Sequence, residues 1–272
     1  MILGVRAHDF GKSSMEELAE KISAKGFQCI QLALWKAIEG LPTDPGFFSP
    51  GLAYRIRETF YKRNIQIAVL GCYINPIHPD PEERKKNIMK FKEHIRYASQ
   101  LGSYIVATET GHVKPEERET AFNILLGTVE ELVYEAEKFG VFIGIEGGDM
   151  DTISSPEWMY RLLSHIKSNN LQVVFDPFNF IPKDDYQKQD DVIKQSFELF
   201  GDKIVAVHAK DFMIENGKAV PIHTIGKGLM NYELLLKLIK TRKPYVNVSM
   251  EGTRPETMEE SKRFITELYE KI

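Results

Sequence analysis

Apolar runs of strand length alternate with amphipathic, helix-length stretches eight times along this chain, and that alternation narrows the fold more than any other feature. Strands joined by helical crossovers pair in parallel, and a parallel sheet needs helices on its faces. The apolar runs lie near 2–7, 28–34, 65–72 and 103–108, and the last four end at Glu146, Asp176, His208 and Glu251. Helices are predicted from Ser14 to Lys25, from Gly51 to Arg63, from the Pro79-Asp80-Pro81-Glu82 start signal to Leu101, from Pro115 to Phe139, and near 155–168, 187–199, 230–240 and 255–271. Glycine follows Lys25, Leu101 and Phe139, where a helix must stop before the next strand begins. Eight such units in 272 residues predict an α/β fold, a (β/α)8 TIM barrel of the usual size of roughly 250 residues. A doubly wound open sheet would carry a glycine-rich phosphate loop after its first strand. Here that position reads His8-Asp9-Phe10-Gly11-Lys12, which fits neither the dinucleotide nor the P-loop signature. No linker or low-complexity tract interrupts the pattern, so residues 1–272 are read as one domain.

The formal net charge of −4, with Lys and Arg interleaved among Asp and Glu, offers no general attraction to a phosphate backbone and argues against a nucleic-acid partner. Cys29 and Cys72 each sit inside an apolar run, as buried free thiols of a reducing compartment do. The first residues lack the features of a secretion signal, and no apolar stretch reaches membrane-spanning length. The expectation is a cytoplasmic protein without a membrane partner.

In a (β/α)8 barrel the functional groups collect at the C-terminal ends of the strands. Glu146, Asp176, His208 and Glu251, closing strands five to eight, should therefore face one mouth. Taken singly, each has a plainer reading. Asp176 before Pro177 suits a turn, and His208 after Ile-Val-Ala-Val suits a satisfied core histidine. Four independent accidents at four successive strand ends are harder to credit. Three carboxylates and one imidazole form a hard, oxygen-rich shell suited to one divalent ion, Mn²⁺, Mg²⁺ or Co²⁺, with Zn²⁺ also compatible. Without a cation the clustered carboxylates would repel, and some would hold protons.

The chain resembles the xylose isomerase-like TIM-barrel superfamily, which includes sugar phosphate isomerases and epimerases, ketose 3-epimerases, inosose dehydratases and endonuclease IV. The resemblance spans nearly the whole chain. It rests on Gly144-Ile145-Glu146-Gly147, Phe175-Asp176-Pro177-Phe178-Asn179, Val207-His208-Ala209-Lys210-Asp211, Ile225-Gly226-Lys227-Gly228 and Met250-Glu251-Gly252. It implies that Glu146, Asp176, His208 and Glu251 hold one divalent metal, and that Glu146 and Glu251 also act as acid and base. The implied chemistry is proton abstraction α to the carbonyl of a sugar or sugar phosphate, through a metal-stabilised enediolate, with Glu251 as base and Glu146 as its partner. Asn179 stands where many epimerases have histidine; an amide can orient a hydroxyl but cannot trade protons near pH 7. That departure weakens the ketose 3-epimerase and endonuclease IV readings. A Glu-x-Lys arrangement like that of true xylose isomerases is also missing after Glu146.

Around the mouth, His8, Trp35, Glu109, Asn179, Lys210, His223 and Arg254 are read as substrate-binding. Trp35 offers a flat wall for a sugar ring, and Lys210, Lys227 and Arg254 lie on the side of the barrel where phosphates often bind. His112 has the alternative of being plain loop. The stretch Leu41–Pro50 exceeds a routine loop and is read as a lid or as a contact within a homo-oligomer. Three other functions share parts of the pattern: an inosose dehydratase-like lyase, an endonuclease IV-like hydrolase and a non-catalytic carbohydrate-binding barrel.

Overall fold

The computed structural model describes residues 1–42 and 44–272. Eight parallel strands close into a barrel: β1 (Ile2–Arg6), β2 (Cys29–Leu32), β3 (Gln66–Gly71), β4 (Ile105–Glu109), β5 (Phe142–Glu146), β6 (Leu171–Phe175), β7 (Ile204–Ala209) and β10 (Asn247–Met250). Between the last two runs an antiparallel pair, β8 (Asp211–Glu215) and β9 (Lys218–Ile222). β10 closes the barrel by pairing with both β7 and β1.

Each predicted helix is present: α1 (Met15–Ala24), α3 (Pro50–Tyr61), α4 (Pro81–Ala98), α5 (Arg118–Phe139), α6 (Pro156–His165), α8 (Gln189–Phe200), α9 (Tyr232–Arg242) and α10 (Met258–Lys271). Their starts follow from local chemistry. Ser14 Oγ accepts the Glu17 N–H at 3.2 Å, and Asp80 Oδ1 accepts the Glu82 N–H at 2.8 Å, so each satisfies an amide that the first helical turn leaves unpaired. At the C-terminus of α5, Gly140 takes the left-handed conformation (φ 63°), which side chains disfavour. Two short helices, α2 (Leu34–Ala37) and α7 (Pro177–Phe180), and the β8–β9 hairpin occupy stretches read as loops.

The barrel interior is filled by Cys29, Ala68, Val69, Ile105, Ala107, Val174 and Ala206, while the larger apolar side chains pack between strands and helices. Both cysteines are free and buried. The segment after residue 40 is tied to α4: buried Glu93 accepts the N–H groups of Gly46 at 2.9 Å and Phe48 at 3.1 Å, and Phe48 stacks on Tyr97. Thr43, within that segment, lies outside the described residues. Among the described residues, no helix is long and apolar enough to cross a membrane.

Candidate metal centre

Side chains alternate between the two faces of a strand, so a residue two positions beyond an interior one also points into the barrel. Val174 and Ala206 fill the interior, and two residues on stand Asp176 and His208. Gly144 faces the same space, since a Cβ there would meet Val174 at 2.7 Å and Ile105 at 3.3 Å, and two residues beyond it stands Glu146. Asn247 accepts from Cys29 Sγ at 3.3 Å, and the same alternation carries through Ser249 to Glu251. From Cys29 it leads to Gln31 on β2. Small residues beneath thus leave room for a polar layer at the mouth.

The four residues meet there. One ligand atom from each of Glu146, Asp176, His208 and Glu251 lies within 4.8 Å of all the others, and all four residues are buried. His208 Nδ1 is 3.1 Å from Glu146 Oε1 and 2.8 Å from Glu251 Oε2. Ligand atoms at about 2.1 Å from one ion would be roughly 3 Å apart when adjacent, so these separations suit a shared cation. The other ring nitrogen, Nε2, donates to Gln31 Oε1 at 2.7 Å, and Gln31 in turn donates to the Tyr73 hydroxyl. That bond orients the imidazole and aims Nδ1 at the carboxylates, the usual support for a histidine ligand. Geometry and donor set therefore fit a divalent ion.

Further groups hold the carboxylates. Glu251 Oε1 is 2.8 Å from Arg6 and 2.7 Å from Lys210, whose ammonium is also 2.8 Å from Asp176 Oδ2. Asn179 Nδ2 donates to Glu146 Oε1 at 2.9 Å. Burial alone would lower the pKa of His208, but Glu146 and Glu251 raise it to about 10. Burial would raise Glu251, yet Lys210, His208 and Arg6 outweigh it and hold this carboxyl well below the usual range. Burial prevails at Glu146, and its pKa rises despite His208. Two carboxyls of one cluster are thereby pushed in opposite directions.

Above the cluster is a cavity of about 240 Å³, lined by Glu146, Glu251, Asn179, Lys210, Arg6 and Glu109 among others. A larger hollow of about 460 Å³ opens at the other end of the barrel, between the strand starts, lined by Ile67, Tyr104, Phe142 and Tyr245. That hollow is mostly apolar and holds no carboxylate, so the acid–base groups single out the smaller cavity.

Of the residues read as substrate-binding, Glu109, Asn179 and Lys210 line this cavity, and His8, Trp35, His223 and Arg254 do not. β1 ends at Arg6, so Arg6 reaches the mouth, while His8 sits on the turn beyond, outside the lining. Burial, then Arg6 and Lys36, press its pKa down to about 3. The helical turn of α2 rotates Trp35 away, edge-on to His94 and beneath Lys90, and presents Lys36 to the cavity instead. His223 is exposed with Nδ1 donating to the Gly252 carbonyl at 2.6 Å, so it braces the residue after Glu251 rather than lining the pocket. Arg254 is exposed and outside the lining, and Lys227, also outside it, pairs with Glu260 at 2.8 Å on the surface.

Sequence reasoning passed over Arg6, Gln31, Lys36, Asp151 and Lys183. Gln31 carried a signal, a lone amide inside Cys-Ile-Gln-Leu-Ala-Leu. His112, left open as plain loop, lines the cavity with its Nδ1 2.6 Å from Asp151 Oδ1. The loops after β4 and β5 are knitted by Val113 N–H to Met150 O at 3.1 Å and Thr152 N–H to Gly111 O at 2.9 Å, which fixes that pair as a ledge.

A closed parallel barrel with a buried carboxylate–imidazole cluster at the C-terminal ends of its strands defines a (β/α)8 protein with a site able to hold a metal ion. The chain belongs to the xylose isomerase-like TIM barrel family, whose sequence model matches residues 19–268. Among solved structures, a D-tagatose 3-epimerase-like protein superposes with a TM-score of 0.78 at 20% identity, over 99% of this chain and 97% of its own. The IolI protein with a bound zinc atom gives 0.76 at 21% identity, over 100% and 99%. The 3-keto-D-glucoside 4-epimerase YcjR of E. coli gives 0.76 at 12% identity, over 98% and 99%. These are likenesses of fold. No curated protein matches the sequence significantly.

Proposed function

We propose that this protein is a divalent-metal-dependent isomerase or epimerase of a sugar or sugar phosphate, in which Glu251 and Glu146 move a proton at the carbon α to a carbonyl. The observation that carries this reading is the convergence of Glu146, Asp176, His208 and Glu251 from four successive barrel strands to within 4.8 Å of one another. Two fold neighbours named as epimerases or epimerase-like, and one with bound zinc, support it. Mn²⁺, Mg²⁺, Co²⁺ or Zn²⁺ held by these residues would supply Lewis-acid polarisation of the substrate's carbonyl and neighbouring hydroxyl. Glu251, fixed by Arg6, takes the proton from carbon. Glu146, three strands round the barrel, returns it from another side, which inverts that carbon; return to the neighbouring carbon isomerises the sugar. Asn179 orients Glu146 and a substrate hydroxyl without exchanging protons. The small cavity suits one monosaccharide, and Lys36, Lys183 and Lys210 on its wall accommodate hydroxyls or a phosphate.

One observation favours a second reading, a lyase that begins with the same proton abstraction. Asp151, whose pKa burial raises to about 6, stands at the rim 2.6 Å from His112, placed as a proton donor for a departing hydroxyl.

The test is to strip the protein with chelator, restore each metal in turn, and assay ketoses, ketose phosphates and inososes. Turnover is expected only with metal, and Glu146→Gln and Glu251→Gln should each lose about 10²- to 10⁴-fold. If both variants keep wild-type turnover with metal bound, verified by elemental analysis, the two-carboxylate mechanism is wrong.

A further inference from the structure

We propose that Lys210 is a built-in counter-cation, bridging two carboxylates of the centre and displaced toward the cavity when a divalent ion binds there. The inference rests on the metal reading given above. Lys210 Nζ is 2.8 Å from Asp176 Oδ2 and 2.7 Å from Glu251 Oε1, so one ammonium bridges two of the four expected ligands. It also donates to Asn179 Oδ1 at 3.1 Å, and Asn179 donates to Glu146. The third carboxylate is thereby joined to the same network. Asp176 Oδ2 is fully buried and has no well-aligned hydrogen bond, so its contact with the ammonium is one of charge rather than of directed bonding.

The backbone and side chain of Lys210 have different freedom. Its carbonyl accepts the Tyr232 hydroxyl at 3.0 Å, which pins the main chain at the end of β7. The stem is a flexible four-carbon chain, and the side chain borders the cavity with 12% of its surface exposed. A lysine ammonium is a compact point charge that can be re-aimed by rotation of that stem.

Electrostatics supplies the motive. Three carboxylates gathered within ligand distance repel one another, and some would take up protons if nothing offset their charge. Lys210, with Arg6 and His208, offsets part of that charge and holds the carboxylates together. A divalent ion held by Asp176 and Glu251 takes over that task and repels an ammonium bonded to the same two residues. Lys210 therefore competes with the metal. Once displaced, its Nζ is available to a substrate oxygen, so occupation of the centre and delivery of a substrate-binding cation become one event.

The test is Mn²⁺ binding, measured by calorimetry and by the electron paramagnetic resonance signal of free Mn²⁺, for the wild type, Lys210→Met and Lys210→Arg. Lys210→Gln serves as a second neutral variant should Lys210→Met not fold. The neutral variant is expected to bind Mn²⁺ at least tenfold more tightly than the wild type, with Lys210→Arg close to wild type because it keeps the charge. Unchanged or weaker binding by the neutral variant, beside normal binding by the wild type, overturns the displacement and leaves the metal reading intact. No Mn²⁺ bound by any of the proteins overturns the metal reading and this inference with it.

Discussion

His208 and His94 are both fully buried, yet their surroundings shift their pKa values in opposite directions. His208 faces two carboxylates, which override burial and raise its pKa to about 10. His94 is ringed by Trp35, Phe47 and Phe48, with centroids 5.4, 6.4 and 5.0 Å away, and burial lowers its pKa to about 4. Its Nδ1 donates to the Lys90 carbonyl at 2.8 Å, and Nε2 has no partner among the described residues, so this is the histidine that packs. The folded pKa lies below the ordinary value of 6.5, so the unfolded chain binds the proton first, and this contribution to stability falls as pH drops from about 6.5 to about 4. Urea unfolding at pH 7 and pH 5 should show the wild type losing about 2 kcal/mol more than His94→Gln over that interval. An equal loss in both proteins would show that His94 titrates normally. The four strand-end residues were legible because their types are rare at the close of apolar runs. Which histidine faces acid and which faces aromatic rings was not legible, because those neighbours come from distant segments.

At the scale of elements, the β8–β9 hairpin is the largest departure from the expected pattern, and Asp211 is what fastens it. Its Oδ1 accepts the N–H groups of Phe212 at 2.8 Å and Met230 at 3.1 Å, and its Oδ2 accepts those of Gly226 at 2.8 Å and Gly228 at 3.0 Å. One buried carboxylate thus satisfies four amides and ties the Gly226-Lys227-Gly228 turn to the end of β7. The His208-Ala-Lys-Asp211 motif therefore combines a candidate ligand, a candidate counter-cation and a structural clamp in four residues. Asp211→Ala would leave buried amides without partners and should cost on the order of 3–5 kcal/mol in chemical denaturation. A cost below about 1 kcal/mol would mean that water replaces the carboxylate without penalty. The hairpin did carry a sequence signal. Asn216-Gly217 is the favoured pair for a two-residue hairpin turn, and both adopt positive φ, 51° and 75°. The short helix α2 carried none, and the rotation it imposes exchanged Trp35 for Lys36 at the cavity.

For the whole molecule, the fold was legible because periodicity repeats: eight apolar runs, eight helices and glycine at three of the junctions leave few topologies. Strand-end placement then carried the cluster, since barrel closure brings the ends of β5, β6, β7 and β10 to one mouth. The rest of the cavity wall comes from loops, whose direction depends on turns that sequence patterns describe poorly; hence Arg254 and His223 lie outside it and Lys183 within. On the proposed function, this mouth removes a proton α to a carbonyl when a divalent ion is present. The most direct measurement is proton NMR of Mg²⁺-activated protein incubated in D₂O with ketoses, ketose phosphates and inososes, beside Glu251→Gln as control. The account predicts loss of a single C–H signal from one panel member, dependent on metal and absent in the control. Conversion of a panel member with full retention of its C–H signals would contradict it.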